Sequence, residues 1–198
     1  MNANWILGFI EGEGCFQIRA SRNKNSAYGF IFSPSFSISQ SIKNKKAIIK
    51  MAKFIGVGST NLISHHKQRT NGKKHQDEYR FMIVGIKSCK KLRHLLYNLD
   101  WQTTKKKEFE AWSEAIDLLE LGAKTNSIKR IKKIISLRDK IATRTNNMPR
   151  PKTFKTKEYI LNIIKNLKPK HCKVCGKKLP KNYGNRKHCS KHGKRFKK

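Results

Sequence analysis

The chain opens with an apolar run two helical turns long that carries two glycines four residues apart and closes on two acids: Trp5-Ile-Leu-Gly-Phe-Ile-Glu-Gly-Glu-Gly14. On a helix, Trp5, Gly8, Phe9 and Gly12 stand at spacings i, i+3, i+4 and i+7 and share one stripe. Asn4 is a suitable N-cap for it. Each glycine costs about 1 kcal/mol of helix propensity, a penalty offset where a second helix approaches backbone to backbone. Glu11 and Glu13 are the only carboxylates before Asp77, and every other charge in that stretch is basic. Two acids placed there give a basic protein somewhere to hold a divalent cation. That points to metal-assisted chemistry on a polyanion.

With 198 residues the chain has room for one mid-sized domain and a small appendage. Its 46 Lys and Arg against 12 Asp and Glu leave a formal charge of +34, a surface suited to neutralising phosphates and releasing their counterions. Nucleic acid is the expected partner. A membrane is the rival, but the sequence has no run of about 18 apolar residues and no charged-then-apolar leader, so no membrane association is expected.

Residues 1–147 hold 28 basic and 11 acidic side chains, and residues 148–198 hold 18 and 1. The junction, Asn146-Asn-Met-Pro-Arg-Pro151, has the turn and proline chemistry of a linker. Three units are therefore expected: a main domain over 1–147, a basic linker with a short helix over 148–167, and a basic module over 168–198. The apolar side of the short helix, Tyr159 to Leu167, is free to dock on the main domain or on nucleic acid.

Hydrophobic periodicity gives the main domain a recurring order. After the first helix, Cys15 to Ala20 and Ile31 to Gln40 alternate as strands, and Lys45 to Ile55 follows helical spacing up to Gly56. Val57 to His66 and Glu78 to Ile86 form a second strand pair around Asn71-Gly72, a strong reversal signal. Helices are expected over Cys89 to Leu99, Thr104 to Leu121 and Ser127 to Thr143. An α+β fold of order αββαββα, with a four-stranded antiparallel sheet and helices on one face, leaves the other face open. Gln17, Arg19, Arg22, Ser33, Ser35, Ser37, Lys67, Gln68, Arg69, Tyr79 and Arg80 are the donor-rich set such a face offers to phosphates and base edges.

Of five cysteines, Cys15 and Cys89 are isolated in apolar surroundings and read as small buried thiols. The other three lie in His171-Cys-Lys-Val-Cys-Gly-Lys177 and His188-Cys-Ser-Lys-His192. Cys172-x2-Cys175 and Cys189-x2-His192 have zinc-ligand spacing, with His188 or His171 as alternatives for the fourth place. A disulfide reading needs an oxidising compartment and leaves an odd cysteine. A closed Cys3His set makes the Zn²⁺ structural, and the surrounding lysines make the module a grip on phosphate backbone outside the central site.

The residues also carry a family resemblance. Ile6-Leu-Gly-Phe-Ile-Glu-Gly-Glu-Gly14 resembles the signature nonapeptide of the LAGLIDADG homing endonucleases, with Glu for Asp at both acidic positions, and no second copy occurs. The likeness runs through Phe16, the αββαββ order, Ile55-Gly-Val-Gly58 and Thr104-Lys-Lys-Lys-Glu-Phe109 with Trp112, over roughly residues 1–145. It implies a saddle of sheet over double-stranded DNA and a homodimer on a near-palindromic site, joined through Trp5, Gly8, Phe9 and Gly12. It assigns Mg²⁺ to Glu13 with Gly14, a structural role to Glu11, water ordering to Gln40 and a place near the scissile phosphate to Lys105.

Three functions remain open from the sequence: an Mg²⁺-dependent, intron- or spacer-encoded endonuclease making double-strand breaks, a maturase binding intron RNA, and a non-cleaving DNA-binding regulator. The retained Glu11, Glu13, Gln40 and Lys105 favour the first. Synthesis inside a mitochondrion or plastid is expected, with phage or microbial cytoplasm as the alternative.

Overall fold

The computed structural model describes residues 1–23, 26, 28–64, 76–122, 128–141, 156–167, 171–177, 179 and 188–193, with His192 and Gly193 described by their backbone. The first helix, α1 (Ala3–Glu13), is capped by Asn2, whose side-chain oxygen accepts from the Trp5 amide at 2.9 Å. The cap expected at Asn4 therefore falls inside the helix. The helix also extends past Gly12, so both acids sit on its last turn. Ile6, Leu7 and Ile10 are buried. Gly8 and Gly12 face outward, and Trp5, 45% exposed, stacks on Phe9 with 5.1 Å between ring centroids.

Strands β1 (Cys15–Arg22) and β2 (Phe30–Ser41) follow, then a 3-10 turn (Ile42–Asn44) and α2 (Lys45–Ile55). Next come β3 (Ser59–Ile63), β4 (Glu78–Val84), α3 (Ile86–Leu96), α4 (Lys105–Glu120), α5 (Ile128–Ile141), α6 (Lys157–Lys165) and α7 (Ser190–Gly193). The four strands form one antiparallel sheet in the order β1-β2-β4-β3. The expected order of elements is observed. β4 stops earlier than the alternation suggested because Gly85, at φ +90°, turns the chain and donates its amide to the Pro34 carbonyl at 3.0 Å, which starts α3 three residues ahead of Cys89. The Asn71-Gly72 reversal, with Lys67, Gln68 and Arg69, lies outside the described residues.

Alternation assigns one face of the sheet to the core. Phe16 and Ile18, Phe32, Phe36 and Ile38, and Phe81 and Ile83 are buried beneath the helices. The Phe16 ring lies 5.0 Å from Trp112 and 5.1 Å from Phe36, centroid to centroid, while the Trp112 indole donates to the Ser35 carbonyl at 3.1 Å. That bond lets a polar N–H enter an apolar core without penalty. Arg138 is only 4% exposed, and its Nε donates to the Ile18 carbonyl at 3.0 Å, pinning α5 to β1. Burial pushes the Cys89 thiol up to about 12, so it stays protonated and inert. No described helix is long and apolar enough to cross a membrane.

Gly58 enters β3 at φ +98°, and a Cβ there would stand 2.6 Å from the Met82 carbonyl oxygen and 2.7 Å from the Phe81 ring. Gly58→Ala is expected to destabilise the domain by about 2–4 kcal/mol, read as a fall of at least about 5 °C in a thermal melt. An unchanged melt would mean that the α2–β3 turn can rearrange freely.

The short helix after the linker docks on the main domain. Ile160 and Ile164 of α6 are buried in the same core, Tyr159 meets Phe30 edge-on, and Ile163 and Leu167 lie against Gly29 at the tip of the β1–β2 hairpin.

Candidate active site and nucleic-acid face

The face of the sheet opposite the core is a polar trough. Its register sets Ser37 between Cys15 and Met82, Gln17 beside Ser35, Arg19 beside Ser33, and Ser39 beside Arg80. Glu13 closes one end of it. Gln17 and Arg19 are exposed, Gln17 donating to the Cys15 sulfur at 3.1 Å, and Arg80 donates from Nε to the Ser39 hydroxyl at 2.8 Å. Fixed but accessible donors of this kind are what phosphate oxygens and base edges accept from.

Of the residues assigned to nucleic acid from sequence, Gln17, Arg19, Ser33, Ser35, Ser37 and Arg80 share this face. Ser35 is only 3% exposed and forms its floor. Arg22 and Tyr79 belong to the other parity, with Phe16 and Phe81, and correct the expectation that placed them here. The Arg22 guanidinium lies over the Phe30 ring and donates to the Gly29 carbonyl. Tyr79 shares a hydrogen bond with Thr60, and its ring carries the Lys45 ammonium at 5.0 Å. The chemistry of both suits nucleic acid, but strict alternation excludes them from this face. The same alternation keeps Ser39 with the other serines of β2, adds Met82, and sets Cys15, expected as a buried thiol, half-buried in the trough.

The acidic end is assembled from distant parts of the chain. Glu13 is exposed at the last position of α1. Gly14 leaves the helix with so little room that a Cβ would stand 2.5 Å from the Ile10 carbonyl oxygen. The Gly14 carbonyl accepts from Lys105 Nζ at 3.0 Å, and the same ammonium lies 3.5 Å from Glu108. Glu11 plays a different part, its Oε1 accepting the amides of Gln102 at 2.9 Å and Thr103 at 2.6 Å. One acid of the pair thus holds the segment that presents Lys105, and the other stays open. Glu11→Ala is expected to cost about 1–2 kcal/mol of stability and to slow any reaction that uses Lys105 while leaving trough-dependent affinity within a few-fold. Equal loss of rate and affinity would assign Glu11 a wider structural role.

The Glu13 carboxylate and the Gly14 carbonyl are hard oxygen donors, the kind that Mg²⁺ accepts. Two such donors do not fill an octahedral shell, so a second copy of the chain, water or phosphate must complete it. Gln40 lies on the core-side parity of β2, and its side-chain oxygen accepts from Asn44 at 3.1 Å. At the far end of the chain the Sγ atoms of Cys172, Cys175 and Cys189 converge within 4.8 Å of one another. The side chain of His192 lies outside the described residues.

A family model described as LAGLIDADG endonuclease matches residues 6–116. Among solved structures, the homing endonuclease I-TnaI superposes with a TM-score of 0.62 at 22% identity, over 83% of this chain and 97% of that one. The archaeal intron-encoded homing endonuclease I-Vdi141I, complexed with DNA, gives 0.64 at 22% identity, over 82% and 94%. The LAGLIDADG homing endonuclease I-SmaMI, bound to cleaved DNA, gives 0.60 at 18% identity, over 76% of this chain and 46% of that one. No curated protein sequence matches significantly. These likenesses show the fold; with more than half of the chain matched by the family model, the protein belongs to the LAGLIDADG endonucleases.

Proposed function

We propose that the protein is a site-specific homing endonuclease that acts as a homodimer and hydrolyses both strands of a long, near-palindromic DNA site. The observation that carries this reading is the meeting of an exposed acid and a held base at the end of a donor-rich trough: Glu13 open, Lys105 Nζ fixed on the neighbouring Gly14 carbonyl. A protein that only binds DNA has no use for a carboxylate aimed at phosphates.

The dimer is supported by the outward stripe of α1. Among the described residues, no atom beyond the helix's own backbone and the adjoining residues comes within 4 Å of the Cβ positions at Gly8 and Gly12, which leaves room for a second helix. A twofold interface requires one self-complementary patch, which the stripe with Trp5 and Phe9 provides. The chain also fills nearly all of one relative and about half of another, the proportion of one unit to a two-unit assembly.

In this reading Glu13 and the Gly14 carbonyl of each protomer would hold Mg²⁺. The metal, when bound, acidifies water and stabilises charge developing on the phosphate. Lys105, held on the Gly14 carbonyl at 3.0 Å, would meet the same charge, and the trough would fix the duplex in register through Gln17, Arg19 and Arg80. In the same reading residues 168–198 form a zinc-held module that adds contact with DNA. A duplex selected from random-sequence DNA by binding to the full chain, incubated with Mg²⁺, is expected to be cut once on each strand and to stay intact with EDTA. Binding without cutting would leave only the regulator or RNA-binding readings.

A further inference from the structure

The C-terminal residues cannot hold a shape by burial alone. Residues 168–198 contain 13 Lys and Arg and no acid, and among the described residues there only Cys172 and Leu179 are buried. Sulfurs about 2.3 Å from a tetrahedral Zn²⁺ stand about 3.8 Å apart. The Cys175 and Cys189 sulfurs are separated by 3.8 Å, with the Cys172 sulfur inside the same 4.8 Å cluster. The backbone around the first pair is shaped accordingly. Gly176, at φ +67°, donates its amide to the Cys172 carbonyl at 2.9 Å, and the Cys172 amide donates to Lys177 at 2.8 Å, closing a tight knuckle that turns both thiols to one side. Such a cluster suits a soft, closed, structural ion.

Its place in the fold is set by α6. Ile160 and Ile164 are buried against the main domain, and Leu167 packs on Gly29 at the hairpin tip. Three residues lie between Leu167 and His171, a span of four Cα steps, so the knuckle starts within about 14 Å of that tip. β1 leaves the acidic end of α1 at Cys15 and reaches the tip after Arg22. At about 3.3 Å per residue the tip stands about 23 Å from the acids, or about 7 base pairs of duplex. The residues concerned lie outside the stretch matched by the family model.

We infer that Cys172, Cys175 and Cys189, with an imidazole as fourth ligand, hold a structural Zn²⁺, and that α6 fixes this module at the outer end of the sheet, where it clamps the phosphate backbone of DNA flanking the cleaved site. The clamp rests on the endonuclease reading; the metal site does not. By sequence spacing the candidates for the fourth place are His192, three residues after Cys189 as Cys175 is after Cys172, and His188 and His171, which adjoin ligands.

The test uses the full chain. Purified protein should contain one zinc per chain, and cobalt exchanged into it should show the absorption of tetrahedral thiolate ligation. Cys175→Ser/Cys189→Ser should lose both while the melt of the main domain is unchanged. Hydroxyl-radical footprinting in Ca²⁺ on a long form of the binding-selected duplex should show central protection plus separate outer patches beyond about 7 base pairs on each side, with the variant losing only the outer patches. Absence of metal overturns the site. Outer patches missing from the native protein, or kept by the variant, overturn the clamp. If central protection is missing too, the endonuclease reading falls with the clamp and the zinc result stands by itself.

Discussion

Glu13→Gln is expected to abolish cleavage while leaving DNA affinity almost unchanged. The side chain is exposed at the end of α1 and makes no contact on which the fold depends, and glutamine keeps its shape while removing one negative charge per protomer. A metal held there contributes several kcal/mol to the transition state, so the rate should fall by at least about 1000-fold. Binding measured in Ca²⁺ should stay within about 3-fold and tighten if it moves, because a charge facing phosphates has been removed. That split, a large loss of rate with none of affinity, marks a group used only in the reaction. Full cleavage by the variant would end the proposal, and a parallel loss of binding would make Glu13 a structural residue.

Gly8→Leu/Gly12→Leu is expected to move two measurements in opposite directions. Both glycines carry the helix penalty in an open position, so leucine at each should stabilise α1 by somewhat under about 1 kcal/mol. The same side chains fill the space through which a second α1 would approach. The dimer dissociation constant should weaken by at least about 100-fold, or about 2.7 kcal/mol, seen as a halved mass by sedimentation with double-strand cutting lost. The monomer should melt no lower than the native chain at concentrations where that chain is monomeric. A variant that stays dimeric would place the interface elsewhere, and one that unfolds would make the glycines a matter of the fold alone.

The main domain was legible where one local rule settled each element. α2 was readable to the residue because its apolar spacing ends at Gly56, whose αL backbone stops the helix. The polar face is readable because β1 and β2 alternate strictly; the chemistry of Arg22 and Tyr79 suits it, but their parity sets them on the other side. The bonds from Glu11 to Gln102 and Thr103, and from Lys105 to Gly14, join residues more than 90 apart and leave no periodic trace. The partner of α6 was equally hidden, since an apolar helix face says that it will be covered and not by what.

The centre of the trough is built almost wholly from serine. Ser33, Ser35, Ser37 and Ser39 of β2 lie between the longer Gln17 and Arg19 of β1 and Arg80 and Met82 of β4. A hydroxymethyl group is the shortest polar side chain, so on the proposed function recognition falls to the flanking walls and the middle strand is close to blank. Replacing Ser33 or Ser37 by a longer amide or guanidinium would add a reader without evicting one, which on that reading makes β2 the strand from which the protein is most readily retargeted to a different sequence.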